Sequence, residues 1–169
     1  PKILVLGTYG AGENFFSIKG ELEAIFAGLR IGKVTYEADS TNPSYHPGRC
    51  AKVSANGTTL GYIGQIHPLV AKNYGMDCEV YCAEINMDSL YAMQLPEPTY
   101  VPLPKYPTVS RDLAIVCDEA VTVAAVENTI TESAGKLLRS VRLFDIYRGT
   151  GIADGKKSLA FALELRADD

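Results

Sequence analysis

Five of the nine prolines fall together in the segment QLPEPTYVPLPKYP, at residues 96–107. Each proline restricts φ and removes a backbone donor, so a segment this rich in proline continues neither a helix nor a central strand. We therefore predict an extended, semi-rigid linker at residues 94–107. The linker separates a first domain at residues 1–93 from a second domain at residues 108–169, and each is long enough for a modest core.

The first domain mixes strand and helix patterns. KILVLG is typical of a buried strand, and FFSIKGELEAIFAGLRIG predicts a helix that closes at Gly32. The apolar face of this helix would consist of Ile18, Leu22, Ile25 and Leu29. Asn56-Gly57, between two strand-like runs, is a strong signal for a β-hairpin. These elements predict an α+β domain with a largely antiparallel sheet.

The second domain has a simpler order. RDLAIVC predicts a strand, TVAAVENTITESAG a helix, and SVRLFDIYRG and KSLAFALEL two further strands. This β-α-β-β order opens a ferredoxin-like domain, and we expect its last helix and strand to be absent. Half of one sheet face would then need a cover, supplied by the first domain, by another molecule or by a second copy of the chain.

Alternation assigns the side chains of the second domain to two faces. The face toward the helix would hold Leu113, Ile115, Phe144, Ile146, Leu159, Phe161, Leu163 and Leu165. The other face would hold Asp112, Ala114, Asp145, Tyr147, Ser158, Ala160, Ala162 and Glu164. Small side chains beside a ring suit a nucleobase, with Tyr147 stacking on it and Asp145 and Ser158 bonding to its edge. The wet face of an antiparallel sheet is also polar without a ligand, so the pattern leaves both interpretations open.

The charge distribution restricts any role in nucleic-acid binding to a local site. The net charge is −4, from 16 basic and 20 acidic residues, which argues against general adhesion to phosphate. Residues 136–157 reverse this balance, with six basic and two acidic side chains. Arg148, Lys156 and Lys157 are therefore candidates for phosphate contacts.

Other candidate chemistry is weaker. His46 and His67 stand in His-Pro pairs at turns without metal-ligating or catalytic partners, so we expect each to be a capping residue or to be hydrogen-bonded in the core. GTGIADGKKS departs from a phosphate loop, because Thr150 stands where its first glycine belongs and Lys157 where Ser or Thr belongs. The four cysteines are expected to be buried, reduced thiols. Without a membrane span or secretory signal, the expected location is the cytoplasm.

The blocks KYPTVSRDLAIV, LFDIYRG and GKKSLAF resemble the ferredoxin-fold anticodon-binding domain of the bacterial phenylalanine–tRNA ligase β subunit family. FFSIKGELEAIF, NPSYHPGRCAKV and LGYIGQIHP resemble the end of the catalytic-like module that precedes it, a degenerate class II synthetase fold. The resemblance covers essentially the whole chain. It implies a role in charging tRNA(Phe), with Asp145, Tyr147 and Ser158 at positions that meet the anticodon.

The resemblance also implies partners. These are tRNA(Phe) and an α subunit that carries the active site, in a heterotetramer of two α and two β chains. The whole enzyme would use ATP and magnesium, whereas CAEINMDSLYAM lacks the glycine-rich strand and the arginine that bind ATP. We therefore expect no catalytic, cofactor or metal site in this chain. Two alternatives stay open: a ferredoxin-like regulatory module for an amino-acid effector, and a piece that only docks on the α subunit.

Overall fold

The computed structural model describes residues 1–93, 95, 97–100 and 102–167. The chain forms two compact units that divide between Thr99 and Tyr100, inside the proline-rich segment. Five residues of the predicted linker and second domain lie outside the described residues: Gln94, Pro96, Val101, Asp168 and Asp169. Within the described ranges, no helix combines the length and the apolar character that crossing a membrane requires.

The first unit is a five-stranded sheet with three helices in its described residues. Its elements are β1 Ile3–Tyr9, α1 Phe15–Gly28, β2 Val34–Ala38, β3 Tyr45–Ala55, β4 Thr58–Ile66, α2 Pro68–Asn73, β5 Val80–Asn86 and α3 Met87–Tyr91. The strands lie in the order β1-β5-β4-β3-β2, and all neighbours are antiparallel. The predicted α+β class is confirmed.

Helix α1 is shorter than its sequence pattern predicts. The Asn14 side chain caps its start by accepting two backbone N–H groups of the first turn. The helix ends four residues before Gly32, where Arg30 adopts a positive φ of 55° that a helix cannot contain. Its buried residues are Ile18, Leu22 and Phe26. Ile25 is half-buried within the helix, and Leu29 lies exposed beyond the helix end, so the prediction that Leu29 belongs to the apolar helix face is wrong.

The predicted hairpin joins β3 to β4. Asn56 and Gly57 both have positive φ, at 49° and 77°, as a type I′ turn requires. Strand β3 begins at Tyr45 and includes Pro47. The ladder with β4 is interrupted between Tyr45 and Cys50, and a proline is tolerated in a strand at such an irregularity.

Gly64 makes room for a buried ring on β3. A Cβ at this position would lie 2.4 Å from the carbonyl oxygen of Arg49 and 3.1 Å from the ring of Tyr45.

Cys50 and Cys82 are the partners of Gly64 on the two neighbouring strands. Burial raises the pKa of the Cys50 thiol to about 11 and also raises that of Cys82, so both thiols stay protonated and unreactive at neutral pH.

Strand β1 lies at the edge of this sheet and has two unlike faces. Leu4 and Leu6 pack against the core. Ile3, Val5 and Tyr9 point to the other face and are exposed. This strip of apolar surface on an edge strand is the kind of feature that partner molecules cover.

The second unit has the predicted β-α-β-β order. Its elements are β6 Val109–Asp118, α4 Val123–Ala134, a 3₁₀ turn Gly135–Leu137, β7 Leu138–Tyr147 and β8 Lys156–Leu165. Strand β8 lies between β6 and β7 and is antiparallel to both. Thr122 caps α4, its hydroxyl accepting from the N–H of Ala125 at 3.2 Å.

One face of this sheet packs against α4. The core residues are Val126, Ile130, Leu159 and Phe161. The apolar spacing of this helix indicates Val123, Val126 and Ile130 on one side; Val126 and Ile130 are buried, and Val123 packs against the core while partly buried. Leu113 and Ile146 lie opposite Phe161 and Leu159 respectively, on the predicted face, but both remain exposed.

Phe144 does not face the helix, contrary to the prediction. Leu143 pairs with Phe161 and Asp145 pairs with Ala160, so Phe144 is the extra residue of a β-bulge. Leu143 packs against the core instead, and Phe144 is 50% exposed. The prediction is wrong because it assumed unbroken alternation, which a bulge shifts by one residue.

Candidate nucleic-acid interface

The register of strands β6, β7 and β8 places the predicted base-binding side chains on one face of the sheet. Tyr147 of β7 lies opposite Ser158 of β8, which in turn lies opposite Val116 of β6. The next row consists of Asp145, Ala160 and Ala114. Directly opposed residues share a face, and these rows alternate with the rows that pack against α4. Asp145, Tyr147 and Ser158 therefore lie together on the open face.

The Tyr147 ring is held over the loop that follows β7. Its hydroxyl donates to the carbonyl oxygen of Thr150 at 3.3 Å. Gly149 lies against the ring, since a Cβ there would come 2.8 Å from the hydroxyl oxygen and 3.0 Å from the ring carbon that bears it. The side chain is nevertheless 47% exposed. The ring is thus oriented by the loop and still accessible to a planar ligand.

Asp145 lies beside small side chains of the neighbouring strands. It directly follows the bulge at Phe144, and bulges commonly re-aim the next side chain of a strand. Its neighbours across the sheet, Ala160 and Ala114, carry only methyl groups. The exposed carboxylate can therefore accept hydrogen bonds from a group that lies flat on the sheet.

Two of the predicted phosphate-binding cations are paired with carboxylates at the end of β6. The guanidinium of Arg148 binds Glu119, with Nη2–Oε1 at 2.6 Å and Nε at 3.1 Å from both carboxylate oxygens. The Nζ of Lys156 donates to Oδ1 of Asp118 at 2.7 Å. Hydrogen bonds from Arg148 hold the pKa of Glu119 below its ordinary value, and the bond from Lys156 does the same for the pKa of Asp118.

Lys157 lies on the other side of the sheet. Its partner across the ladder is Cys117, on the face toward α4, and Lys157 is only 8% exposed. Its Nζ donates to the carbonyl oxygen of Glu119 at 2.8 Å. Sequence reasoning grouped it with Lys156, but successive strand residues point to opposite faces, so this position favours a structural contact over a phosphate contact.

The other candidate groups bond the backbone or join strands. Nδ1 of His67 accepts from the N–H of Leu69 at 3.2 Å, and Nδ1 of His46 accepts from the N–H of Gly48 at 3.0 Å. This confirms the predicted capping role for His67, which is the N-cap of α2, whereas His46 lies within β3, caps no helix and is only half-buried. The loop Arg148–Gly155 connects two strands and opens no helix. Of the four cysteines only Cys50 is buried, while Cys82 and Cys117 are half-buried. Cys78 precedes β5 and is exposed, so the prediction of burial is wrong for this cysteine.

Sequence reasoning missed two features of the open face. Val116 extends the row of Tyr147 and Ser158 and is 54% exposed, and alternation carried two residues further along β6, from Ala114, would have found it. Asp118 and Glu119 carried no local signal, because their partners lie 38 and 29 residues away.

Two family profiles match the chain. The profile described as "Phenylalanyl tRNA synthetase beta chain CLM domain" matches residues 6–87. The profile described as "Ferredoxin-fold anticodon binding domain" matches residues 104–169. Together with the β-α-β-β order, this second match identifies the second unit as a ferredoxin-fold anticodon-binding domain.

Curated relatives agree over nearly the whole chain. The phenylalanine–tRNA ligase beta subunit of Clostridium tetani is 41% identical over 163 residues, covering 96% of this chain and 20% of the relative. That of Synechocystis sp. is 44% identical over 161 residues, covering 92% and 20%. That of Bacillus subtilis is 38% identical over 151 residues, covering 89% and 19%. The chain belongs to the phenylalanine–tRNA ligase β subunit family and spans about a fifth of the length of these relatives.

Proposed function

We propose that the open face of the second unit binds the anticodon of tRNA(Phe) during phenylalanyl-tRNA synthesis. Tyr147 stacks on one anticodon base, while Asp145 and Ser158 form hydrogen bonds with base edges. Unpaired RNA bases are recognised in this way, by stacking on aromatic rings and by bonds to their exposed edges. Family membership supports the choice of RNA, since the second unit matches an anticodon-binding domain.

One observation carries the proposal. The half-exposed ring of Tyr147 lies in one row with Ser158 and one row from Asp145, on the face away from α4. Ala160 and Ala114, in the row of Asp145, carry only methyl groups, so a base can approach this part of the sheet closely. A stacking surface, a hydrogen-bond acceptor and a hydroxyl are thus available within one small area of sheet.

Arg148 and Lys156 are the proposed phosphate contacts. Both cations lie at the end of the open face nearest to Tyr147, one directly after β7 and one at the start of β8. The acidic net charge of the whole chain means that such contacts act locally. Lys157 is left out because its amine is turned to the helix side of the sheet.

We further propose that the first unit docks on the α subunit of the ligase, in an assembly of two α and two β chains. Aminoacylation, with its ATP and magnesium, would then take place on the α subunit. The exposed strip of Ile3, Val5 and Tyr9 on β1 supports a docking role, because apolar edge surface is normally covered. We expect Val5→Lys to abolish co-purification with α, while Leu69→Lys, at an exposed position on α2, leaves it intact.

The anticodon proposal is tested by titrating the isotope-labelled chain with three ligands. These are an RNA hairpin with the phenylalanine anticodon loop, the same stem with a scrambled loop, and free phenylalanine. We expect saturable, salt-sensitive shifts of the amides of Asp145, Tyr147 and Ser158 with the anticodon hairpin, and much weaker binding of the scrambled loop. A response to phenylalanine alone would refute the proposal and support an amino-acid effector module.

A further inference from the structure

Two ion pairs tie the loop between β7 and β8 to the end of β6. Glu119 holds Arg148, and Asp118 holds Lys156. The four side chains are between 44% and 69% exposed, so solvent and ions reach both pairs. The net positive charge of residues 136–157 is therefore partly neutralised by Asp118 and Glu119, which lie outside that segment.

Three of these four side chains border a cavity at the loop that follows Tyr147. Glu119, Arg148 and Lys156 line it together with the intervening loop, and its volume is about 540 Å³. This is far larger than the ~30 Å³ that one water molecule occupies in the liquid. The cavity has room for a phosphate group, and Arg148 and Lys156 both lie in its lining.

We propose that Asp118 and Glu119 compete with RNA phosphate for Lys156 and Arg148, and that a phosphate displaces Glu119 from Arg148 when RNA binds. This inference depends on the proposed function and deepens it. Glu119 thereby limits how much of the RNA affinity comes from sequence-independent phosphate contact. The base contacts of Tyr147, Asp145 and Ser158 carry a correspondingly larger share.

The energetics of exposed ion pairs permit this exchange. Pairs between exposed side chains contribute little net free energy, and phosphate matches the guanidinium fork as well as a carboxylate does. A cation that is already paired releases fewer counterions from RNA, because its charge is neutralised before binding. The salt dependence of RNA binding therefore reports whether Arg148 is paired with Glu119 before the RNA binds.

The substitution Glu119→Gln removes the carboxylate charge and leaves the other contacts of this residue in place. The backbone contacts of this residue do not involve its side chain: its N–H donates to the carbonyl of Gly155 at 2.8 Å, and its own carbonyl accepts from Lys157. The loop therefore keeps these anchors in the variant. Asp154→Asn is the matched control, because it removes the same charge from the lining of the same cavity, and Asp154 forms no ion pair within residues 102–167.

The test measures affinity of the full chain for the anticodon hairpin over a range of salt concentrations. We expect Glu119→Gln to bind roughly 1.5- to 5-fold tighter than wild type, the worth of an exposed ion pair. The plot of log affinity against log salt should steepen by roughly 0.7 to 1, one further phosphate contact. Asp154→Asn should change both quantities less, and Arg148→Gln in the Glu119→Gln background should cancel the gain.

The possible outcomes separate this inference from the function on which it depends. The proposed competition between Glu119 and phosphate would be refuted if Glu119→Gln and Asp154→Asn changed the affinity and its salt dependence equally. It would also be refuted if the gain in affinity of Glu119→Gln remained after Arg148→Gln was added. If wild type binds the scrambled loop as tightly as the anticodon loop, base recognition itself is refuted, and with it the proposed function.

Discussion

Replacing Tyr147 by alanine tests the central element of the proposed interface. The ring is 47% exposed, and only its hydroxyl end is engaged, with Thr150 and Gly149. Stacking of one base on an aromatic side chain contributes about 1–3 kcal/mol. We therefore expect Tyr147→Ala to weaken binding of the anticodon hairpin by roughly 5- to 150-fold.

Tyr147→Phe separates the ring from its hydroxyl. The bond to Thr150 is long, at 3.3 Å, and exposed. An exposed hydrogen bond contributes about 1 kcal/mol or less net, so the phenylalanine variant should lose at most about 5-fold in affinity.

Calorimetry or fluorescence anisotropy with the anticodon hairpin measures these losses. Urea unfolding checks that both variants stay folded. Tyr74→Ala, at an exposed tyrosine of the first unit, is the matched control and should bind as wild type does. An affinity of Tyr147→Ala within twofold of wild type, or an equal loss in Tyr74→Ala, would refute the assignment of Tyr147 as the stacking ring.

Two further predictions concern stability. Gly64→Ala should lower the free energy of unfolding by roughly 1–3 kcal/mol, because its Cβ would meet the Arg49 carbonyl oxygen at 2.4 Å. Gly28→Ala, at the end of α1 with open space around it, should be neutral or stabilising by up to about 1 kcal/mol, and urea titration compares the two. A Gly64→Ala protein as stable as wild type would contradict the close approach of β3. The second prediction is the pH dependence: the pKa values of Asp118 and Glu119 lie below the ordinary 3.8 and 4.5, so their stabilising effect is complete above these values. This stabilising effect is lost as the pH falls through the lowered pKa values. Urea unfolding between neutral and acid pH should therefore show a smaller decrease in the free energy of unfolding for Glu119→Gln than for wild type. An identical decrease in both proteins would rule out a contribution from Glu119.

Local signals sufficed to predict most of the strand and helix order. Asn56-Gly57 predicted the hairpin because a type I′ turn matches the twist of the flanking strands and needs two positive φ angles, a conformation that few residues other than Asn and Gly tolerate. Alternation placed Asp145, Tyr147 and Ser158 on one face, since the period of a strand is fixed by its backbone. The end of α1 was predicted less well, because the apolar pattern continues past Arg30, where the backbone leaves the helix.

By itself, the amino-acid sequence determined the two-part division, the α+β class and the residues of the open face, because proline content, turn residues and side-chain alternation act over a few neighbouring positions. Only the tertiary structure decided that Phe144 leaves the core, since a bulge depends on how β7 pairs with β8. It alone also decided that Arg148 and Lys156 face Glu119 and Asp118, and that Lys157 turns to the helix side. These contacts join residues 29 to 38 positions apart, and their geometry follows from strand register, which no local pattern specifies.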